Sequence, residues 1–241
     1  MKAKHDDMSV KHWEHRTEAS WKKFKFNQPY ARGLKRLKEE VLAKTNFDPA
    51  TLWQWGTMQA MAVLEILKSA ERQFGREGQQ MVFESMKRVG YDIGKQITQG
   101  TSIPEDMSLE EWTSFYTTIG NRIVYASLEV PQIENEDRLN FHIDWCPHQD
   151  QYGTFDCRVQ RYFVQGLIEA ALDFVKSQGF DEEKVFDITF RYSIPAGEET
   201  CFFVMETRDS QSAQKWAEYT NQLEEKALEI AQRQGDEKDD Q

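Results

Sequence analysis

The chain has 241 residues, of which 41 are acidic and 30 basic, so its formal net charge is −11. An acidic chain is not expected to bind nucleic acids or anionic membranes in general, because both select basic surfaces. Aromatic residues make up 12% of the chain, whereas disordered proteins contain few. There is no apolar run of the ~18–20 residues that span a bilayer and no signal-peptide core, so we expect a cytoplasmic globular protein.

The first 46 residues are predicted to form an N-terminal helical arm. Within it, residues 8–26 place five apolar residues among Lys, His and Glu: Met8, Trp13, Trp21, Phe24 and Phe26. We interpret this stretch as a helix that packs on its own domain or on a dimer mate, with a contact to an acidic partner as the alternative. Residues 32–44 show the apolar spacing of an amphipathic helix.

A long helix is predicted over 50–74. Asp48 is a capping acceptor, and Pro49 suits the first helical turn. Because apolar residues occur nearly all round this segment, we expect it to be largely buried. The glycine-containing turn at 75–78 is predicted to end it.

Two further helices are predicted before residue 120. The first covers 79–99, where Gly90 and Gly94, four residues apart, would let another element approach closely. The second begins with the capping-box sequence Ser-Leu-Glu-Glu at 108–111 and continues through Ile119.

Beyond residue 120 the apolar period changes from that of a helix to that of a strand. Four strands are predicted, at 121–130, 138–146, 185–194 and 200–207. A helix over 157–176 separates the second strand from the third, a turn at 195–199 joins the last two, and a final helix follows to about Gln232.

This order of elements predicts an α+β fold, with a four-stranded antiparallel sheet packed with helices and a helical N-terminal half. We expect one domain over 47–233 and a disordered acidic tail over 234–241.

Residues 140–148 carry the densest set of chemically reactive side chains. Alternate residues of a strand share a face, with a rise of ~3.3 Å per residue. The side chains expected to face the helices are Phe141, Ile143 and Trp145. The opposite face is expected to carry an imidazole, a carboxylate and a thiol in a row: His142, Asp144 and Cys146. Together these groups are the ingredients of assisted nucleophilic attack.

An ordinary solvent-exposed strand face is the main alternative, although His and Cys are uncommon on such faces. Cys201 lies beside two phenylalanines and is typical of a small buried apolar residue. The three cysteines are an odd number at wide spacings, which favours reduced thiols. No cofactor is predicted, and the spacing of a possible zinc-ligand set matches no standard motif: His142, Asp144, Cys146, His148 and Cys157.

Taken in order, these features resemble the L-2-amino-thiazoline-4-carboxylic acid hydrolase family. The resemblance covers roughly residues 55–208. It is carried by KRVGYDIGKQI around Gly90, by Asp144-Trp145-Cys146-Pro147, by the helix after Cys157 and by GEETCFF at 197–203. The family is similar in turn to 4-vinyl-reductase-type small-molecule-binding domains, whose α+β fold has a four-stranded antiparallel sheet.

The resemblance implies ring-opening hydrolysis of a cyclic amidine C–N bond to an N-carbamoyl amino acid. The nucleophile would be Cys146, or a water activated by His142 or Asp144, and His148 or Asp156 would protonate the leaving nitrogen. Arg191 would pair with a substrate carboxylate. The candidate substrate-binding residues are Arg191, Asp187, Trp145, Tyr152 and Cys201.

Two other functions stay open. One is a module that binds a small aromatic molecule without turnover, in a closed apolar pocket lined by Trp53, Trp55, Phe83 and Phe115. The other is a different C–N or C–S bond hydrolase, or a lyase, on the same scaffold. In each case we expect a small-molecule partner, no nucleic acid and no membrane, and a homodimer is the expected assembly.

Overall fold

A computed structural model describes residues 25–44, 46–125, 127, 129–181, 184–208 and 210–239, with the backbone alone at 213 and 234–239. The predicted arm helix over 8–26 therefore lies almost wholly outside the described residues, as does Asp209.

Helices account for most of the described chain. They are α1 (Ala31–Arg36, continued by a wider π-helical turn at Leu37–Leu42), α2 (Ala50–Thr98), α3 (Leu109–Val124), α4 (Arg158–Ser177) and α5 (Gln211–Asp239). The last helix extends past its predicted end at Gln232 and into the segment predicted as a tail. Within the described ranges, no helix has an apolar stretch long enough to cross a membrane.

Four strands form a single antiparallel sheet in the order β1-β2-β4-β3. They are β1 (Gln132–Asn135), β2 (Arg138–Ile143), β3 (Phe186–Tyr192) and β4 (Cys201–Thr207). The predicted α+β class with a four-stranded antiparallel sheet is confirmed.

The predicted strand at 121–130 is wrong, because α3 continues to Val124. The capping box that starts this helix at Ser108 is present as predicted. At its end, the Asn121 carbonyl accepts the N–H groups of Tyr125 and Ser127, at 2.9 and 3.2 Å. The Asn121 side chain donates to the Glu129 carbonyl at 3.1 Å, so the chain turns there before it enters β1.

The chain divides into two compact units. Among the described residues, the sheet unit comprises those within 25–26, 100–149 and 171–220, and the helical unit comprises those within 27–99, 150–170 and 221–239. The single domain predicted over 47–233 stays a prediction.

The core of the sheet unit lies on one face of the sheet. Alternation along β2, β3 and β4 directs one apolar row from each strand to that face. The buried members of this cluster are Tyr125, Leu139, Phe141, Ile143, Cys146, Phe186, Cys201, Phe203 and Met205. The stacked rings of Phe141 and Phe203, with centroids 4.7 Å apart, lie at its centre.

The helical unit is held together by close backbone contacts at glycines. At Gly75 the backbone leaves helical geometry, with φ 58° and ψ −137°, inside the predicted turn. A Cβ on Gly78 would lie 2.3 Å from the Ala70 carbonyl oxygen, so the two halves of α2 meet at this turn. A Cβ on Gly90 would lie 1.9 Å from the carbonyl oxygen of Phe163 in α4. The close approach predicted at Gly90 is therefore confirmed.

The first half of α2 departs from its prediction as a largely buried helix. One side packs in the core of the helical unit, where Leu64 and Leu67 are fully covered. The other side is exposed, and it includes Trp55 and Ile66.

Candidate functional site

The thiols of Cys146 and Cys201 lie in the core of the sheet unit. Cys201 begins β4 directly opposite Ile143, the last residue of β2. After Ile143 the chain turns. The Cys146 carbonyl accepts the Gln149 N–H, and the Cys146 N–H donates to Gln149 Oε1, each at 3.1 Å. Both cysteines are free and buried in the same apolar cluster.

The surroundings of the two thiols keep them protonated at neutral pH. Burial raises the pKa of Cys146, while hydrogen bonds from the backbone N–H groups of His148 and Gln149 act in the opposite sense. Burial and the proximity of Cys146 raise the pKa of Cys201 to about 11, although the Ile194 N–H donates to its sulfur at 3.4 Å. Nucleophilic attack by either sulfur therefore requires a base to remove its proton.

His148 follows Cys146 by two residues and is also buried. Burial lowers the pKa of His148, so its imidazole is neutral at neutral pH and is able to accept a proton. A neutral imidazole has the protonation state that a general base needs.

The predicted row of His142, Asp144 and Cys146 on one strand face is wrong. Because β2 ends at Ile143, the alternation of faces also ends there. Cys146 turns into the core, whereas Asp144 is exposed. Trp145, expected to face the helices, is instead 49% exposed.

His142 lies on the sheet face opposite the apolar cluster, among aromatic rings. Its Nδ1 is 3.0 Å from Thr200 Oγ1, and its ring stacks on Phe202 with a centroid distance of 4.4 Å. Tyr192 stacks on the same Phe202 ring, with a centroid distance of 5.2 Å. His142 and Cys146 therefore belong to two different environments of the sheet unit.

Arg191 and Asp187 lie on the sheet face that His142 occupies, and each is already paired. Arg191 donates to Glu206 Oε2 at 2.7 Å, and its guanidinium lies 4.3 Å from the ring centroid of Trp216. Asp187 accepts two hydrogen bonds from Arg208, at 2.9 and 3.0 Å. Binding of a substrate carboxylate by Arg191 would have to displace Glu206.

The structure assigns other predicted site residues to the helical unit. Tyr152 is buried in its apolar cluster, against which Cys157 packs. Asp156 pairs with Lys68 at 3.0 Å and accepts the Gly153 N–H at 2.8 Å. Roles for these residues in the chemistry of Cys146 stay predictions.

Exposure decides the expectation of a closed apolar pocket. Trp53 and Trp55 are 45% and 62% exposed, so neither lines a closed pocket. In the described part of the chain, no three His, Cys, Asp or Glu side chains are grouped so that they could hold a metal ion.

Sequence reasoning missed a buried ionic cluster in the helical unit. The carboxylate of Glu71 accepts hydrogen bonds from Arg158, at 2.7 and 3.3 Å, and from Gln79 at 2.8 Å. Glu224 binds Arg161 and accepts the Tyr162 hydroxyl at 2.8 Å. The spacing of Glu71 could have indicated its burial. It lies four residues after Leu67 and seven after Leu64, which are core residues of the same helix.

Fold and site together define an α+β protein with two free, buried thiols at the end of an antiparallel sheet. No protein-family model matches the chain. The chain is 46% identical over 217 residues to a protein of Archaeoglobus fulgidus described as uncharacterized, and the match covers 90% of this chain and 95% of that protein. The chain belongs to the same family as this archaeal protein.

Proposed function

We propose that the protein is a hydrolase that opens the ring of a small cyclic amidine of the thiazoline type, with Cys146 as its nucleophile. The observation that carries the proposal is the environment of the Cys146 sulfur. The sulfur lies in a buried apolar cluster, and the backbone N–H groups of His148 and Gln149 oppose the rise in its pKa that burial causes. Such donors stabilise a thiolate once it forms, and burial excludes competing water.

The first chemical step forms a bond between Cys146 Sγ and the amidine carbon. His148 takes the thiol proton as the sulfur attacks, and it returns that proton to the ring heteroatom that leaves. The result is an S-linked imidoyl group on Cys146, which is an isothiourea if the ring sulfur leaves and an imidodithiocarbonate if the ring nitrogen leaves. Water then adds to the same carbon, and Cys146 leaves as the thiol, so one water is consumed in each turnover.

The identity of the leaving heteroatom decides the product. If the ring nitrogen leaves, cleavage of the C–N bond gives an S-carbamoyl amino acid, and not the N-carbamoyl product that the resemblance implies for this bond. If the ring sulfur leaves, cleavage of the C–S bond gives an N-carbamoyl amino acid with a free thiol. Mass spectrometry after thiol labelling therefore separates the two reactions.

The test is turnover of 2-amino-thiazoline-4-carboxylate by the full chain, followed by product analysis. We expect Cys146→Ser to lose at least ~100-fold in kcat/KM, and His148→Gln a similar factor, because each removes a chemical step. Cys157→Ala is the matched control, since this third cysteine belongs to the helical unit. Full activity in both site variants, with circular dichroism unchanged, would refute the assignment.

Binding without turnover is the second candidate, and the protonated resting state of both thiols favours it. Buried neutral cysteines often serve as small apolar residues. Calorimetric titration with the same compound distinguishes the two functions. Saturable heat without product, unaffected by Cys146→Ser, supports a binding protein, whereas product formation excludes it.

A further inference from the structure

The exposed side of α2, before its break at Gly75, carries apolar residues that the proposed hydrolase does not use. They include Leu52, Trp55, Met58 and Ile66, which are 40%, 62%, 61% and 59% exposed. The buried side of the same helix segment carries core leucines of the helical unit. This segment therefore has two apolar sides, and one of them faces solvent.

Three of these residues, Leu52, Trp55 and Ile66, lie on one heptad line of the helix, and Met58 flanks it. Counting from Leu52, alternating steps of three and four residues give a line of six positions: 52, 55, 59, 62, 66 and 69. Such a line is the seam through which two helices pack at a small angle, with knobs entering holes. We call these six positions the α2 seam. At ~1.5 Å per residue, the seam is about 26 Å long.

The exposed apolar patch on this side of α2 is as large as the largest apolar patches of ordinary monomers, which are often functional. The four apolar side chains expose on the order of 500 Å², near the upper end of the ~300–600 Å² of the largest apolar patch on a typical monomer. Burying this patch and its rim on two chains would approach the ~1,200 Å² at which specific interfaces begin.

The α2 seam is complementary to itself when two copies run antiparallel about a two-fold axis. With the axis between positions 60 and 61, Trp55 lies opposite Ile66 of the second copy, and Gln59 lies opposite Ala62 of the second copy. The small Ala62 lets the helices approach at the crossing, while each indole covers an isoleucine. No charged residue occupies the seam. Two-fold symmetry then repeats every contact.

We propose that the protein is a homodimer whose two copies pack through the α2 seam in this antiparallel arrangement. The inference is independent of the chemistry proposed for Cys146. The single chain has a mass of 28.3 kDa, so light scattering after size exclusion would report twice that mass. A monomeric wild-type chain at every accessible concentration would overturn the proposal.

The first test compares two substitutions of equally exposed residues in the same helix. Ile66 and Met81 are each 59% exposed, but Met81 lies beyond Gly75 and outside the seam. We expect Ile66→Glu to raise the dimer dissociation constant at least ~100-fold, because it buries a charge against Trp55 of the second copy. Met81→Glu should leave it unchanged. Equal weakening by both variants, or by neither, would contradict the seam.

The second test checks the antiparallel pairing with complementary charges. Trp55→Arg and Ile66→Glu should each be monomeric alone. When the two variants are mixed, the guanidinium introduced at position 55 of one chain meets the carboxylate introduced at position 66 of the other. The native Ile66 and Trp55 meet on the other side of the axis. We expect native mass spectrometry to show a mixed dimer. A mixture that stays monomeric while both variants remain folded would overturn the antiparallel arrangement.

Discussion

The ionic cluster of the helical unit and the two thiols of the sheet unit are buried in opposite ways. In the helical unit, Glu71 is fully buried, and Arg158 and Gln79 supply hydrogen bonds to its carboxylate. In the sheet unit, Cys146 and Cys201 are buried as neutral thiols in an apolar cluster, because burial raises the pKa of each. The ionic cluster pairs its charges, whereas the two thiols avoid forming them.

This difference determines what each group is free to do. A buried ion pair ties each partner to the other, because removing one strands an uncompensated charge. A buried thiol needs no such partner, so its sulfur stays available if a base removes the proton. The ionic cluster is therefore expected to dominate stability, and the thiol cluster to dominate chemistry.

Removal of one member of the ionic cluster is expected to have the largest effect on stability. Arg158→Met leaves the Glu71 carboxylate without its guanidinium, and we expect the free energy of unfolding to fall by about 3–5 kcal/mol. The double variant Glu71→Met with Arg158→Met should lose much less, because no charge remains buried. Urea denaturation measures both. A single variant as stable as the double variant would show that the cluster is not a paired ion.

The folded chain is expected to lose stability at high pH, because the buried Cys201 thiol then ionises. The pKa of Cys201 is about 11 in the folded chain, against 9.0 for an ordinary cysteine. The neutral Cys201 thiol contributes about 2–3 kcal/mol to the free energy of unfolding. This contribution is fully present below pH 9 and is lost as pH rises through 11. We expect Cys201→Ala to show a shallower decline than wild type between these pH values in thermal melts. Parallel curves would refute the raised pKa.

Backbone contacts at glycines provide a smaller test. Gly90→Ala places a methyl group against the Phe163 carbonyl, and we expect a loss of about 1–3 kcal/mol. In the sheet unit, Gly120 in α3 has no neighbour within 4 Å of an added Cβ, so Gly120→Ala should stabilise by about 0.5–1 kcal/mol. Chemical denaturation of the two variants should show opposite signs. Stabilisation by both would show that α2 and α4 separate easily.

The smallest effect is expected at the partly exposed pair of Asp187 and Arg208, whose side chains are 34% and 41% exposed. Solvent screens such pairs, so Arg208→Ala should cost about 1 kcal/mol or less. The matched comparison is Arg158→Met in the buried cluster. If the two substitutions had similar costs in the same denaturation assay, burial would not distinguish the two regions.

Local patterns were sufficient for much of the fold. The capping box at Ser108 and Glu111 specifies the start of α3 through bonds within four residues. Strands β3 and β4 lie within two residues of their predicted bounds, because their alternation and the turn between them are also local. The same holds for the break at Gly75, where the positive φ favours glycine.

The candidate site was less predictable because it depends on where a strand stops. Alternation predicts Cys146 beside His142, but the turn after Ile143 directs the sulfur into the core instead. The sequence predicts a free cation at Arg191, because its partner Glu206 lies fifteen residues away on another strand. Likewise, the partner of Glu71 lies 87 residues along the chain.

Periodicity and capping within a few residues are enough to define the α+β class, the positions of most helices and the order of the elements along the chain. The pairing of polar groups, the clustering of thiols and the exposed side of α2 could be read from the three-dimensional structure alone. Those outcomes depend on contacts between distant segments, and their energies are set by burial that no local pattern records.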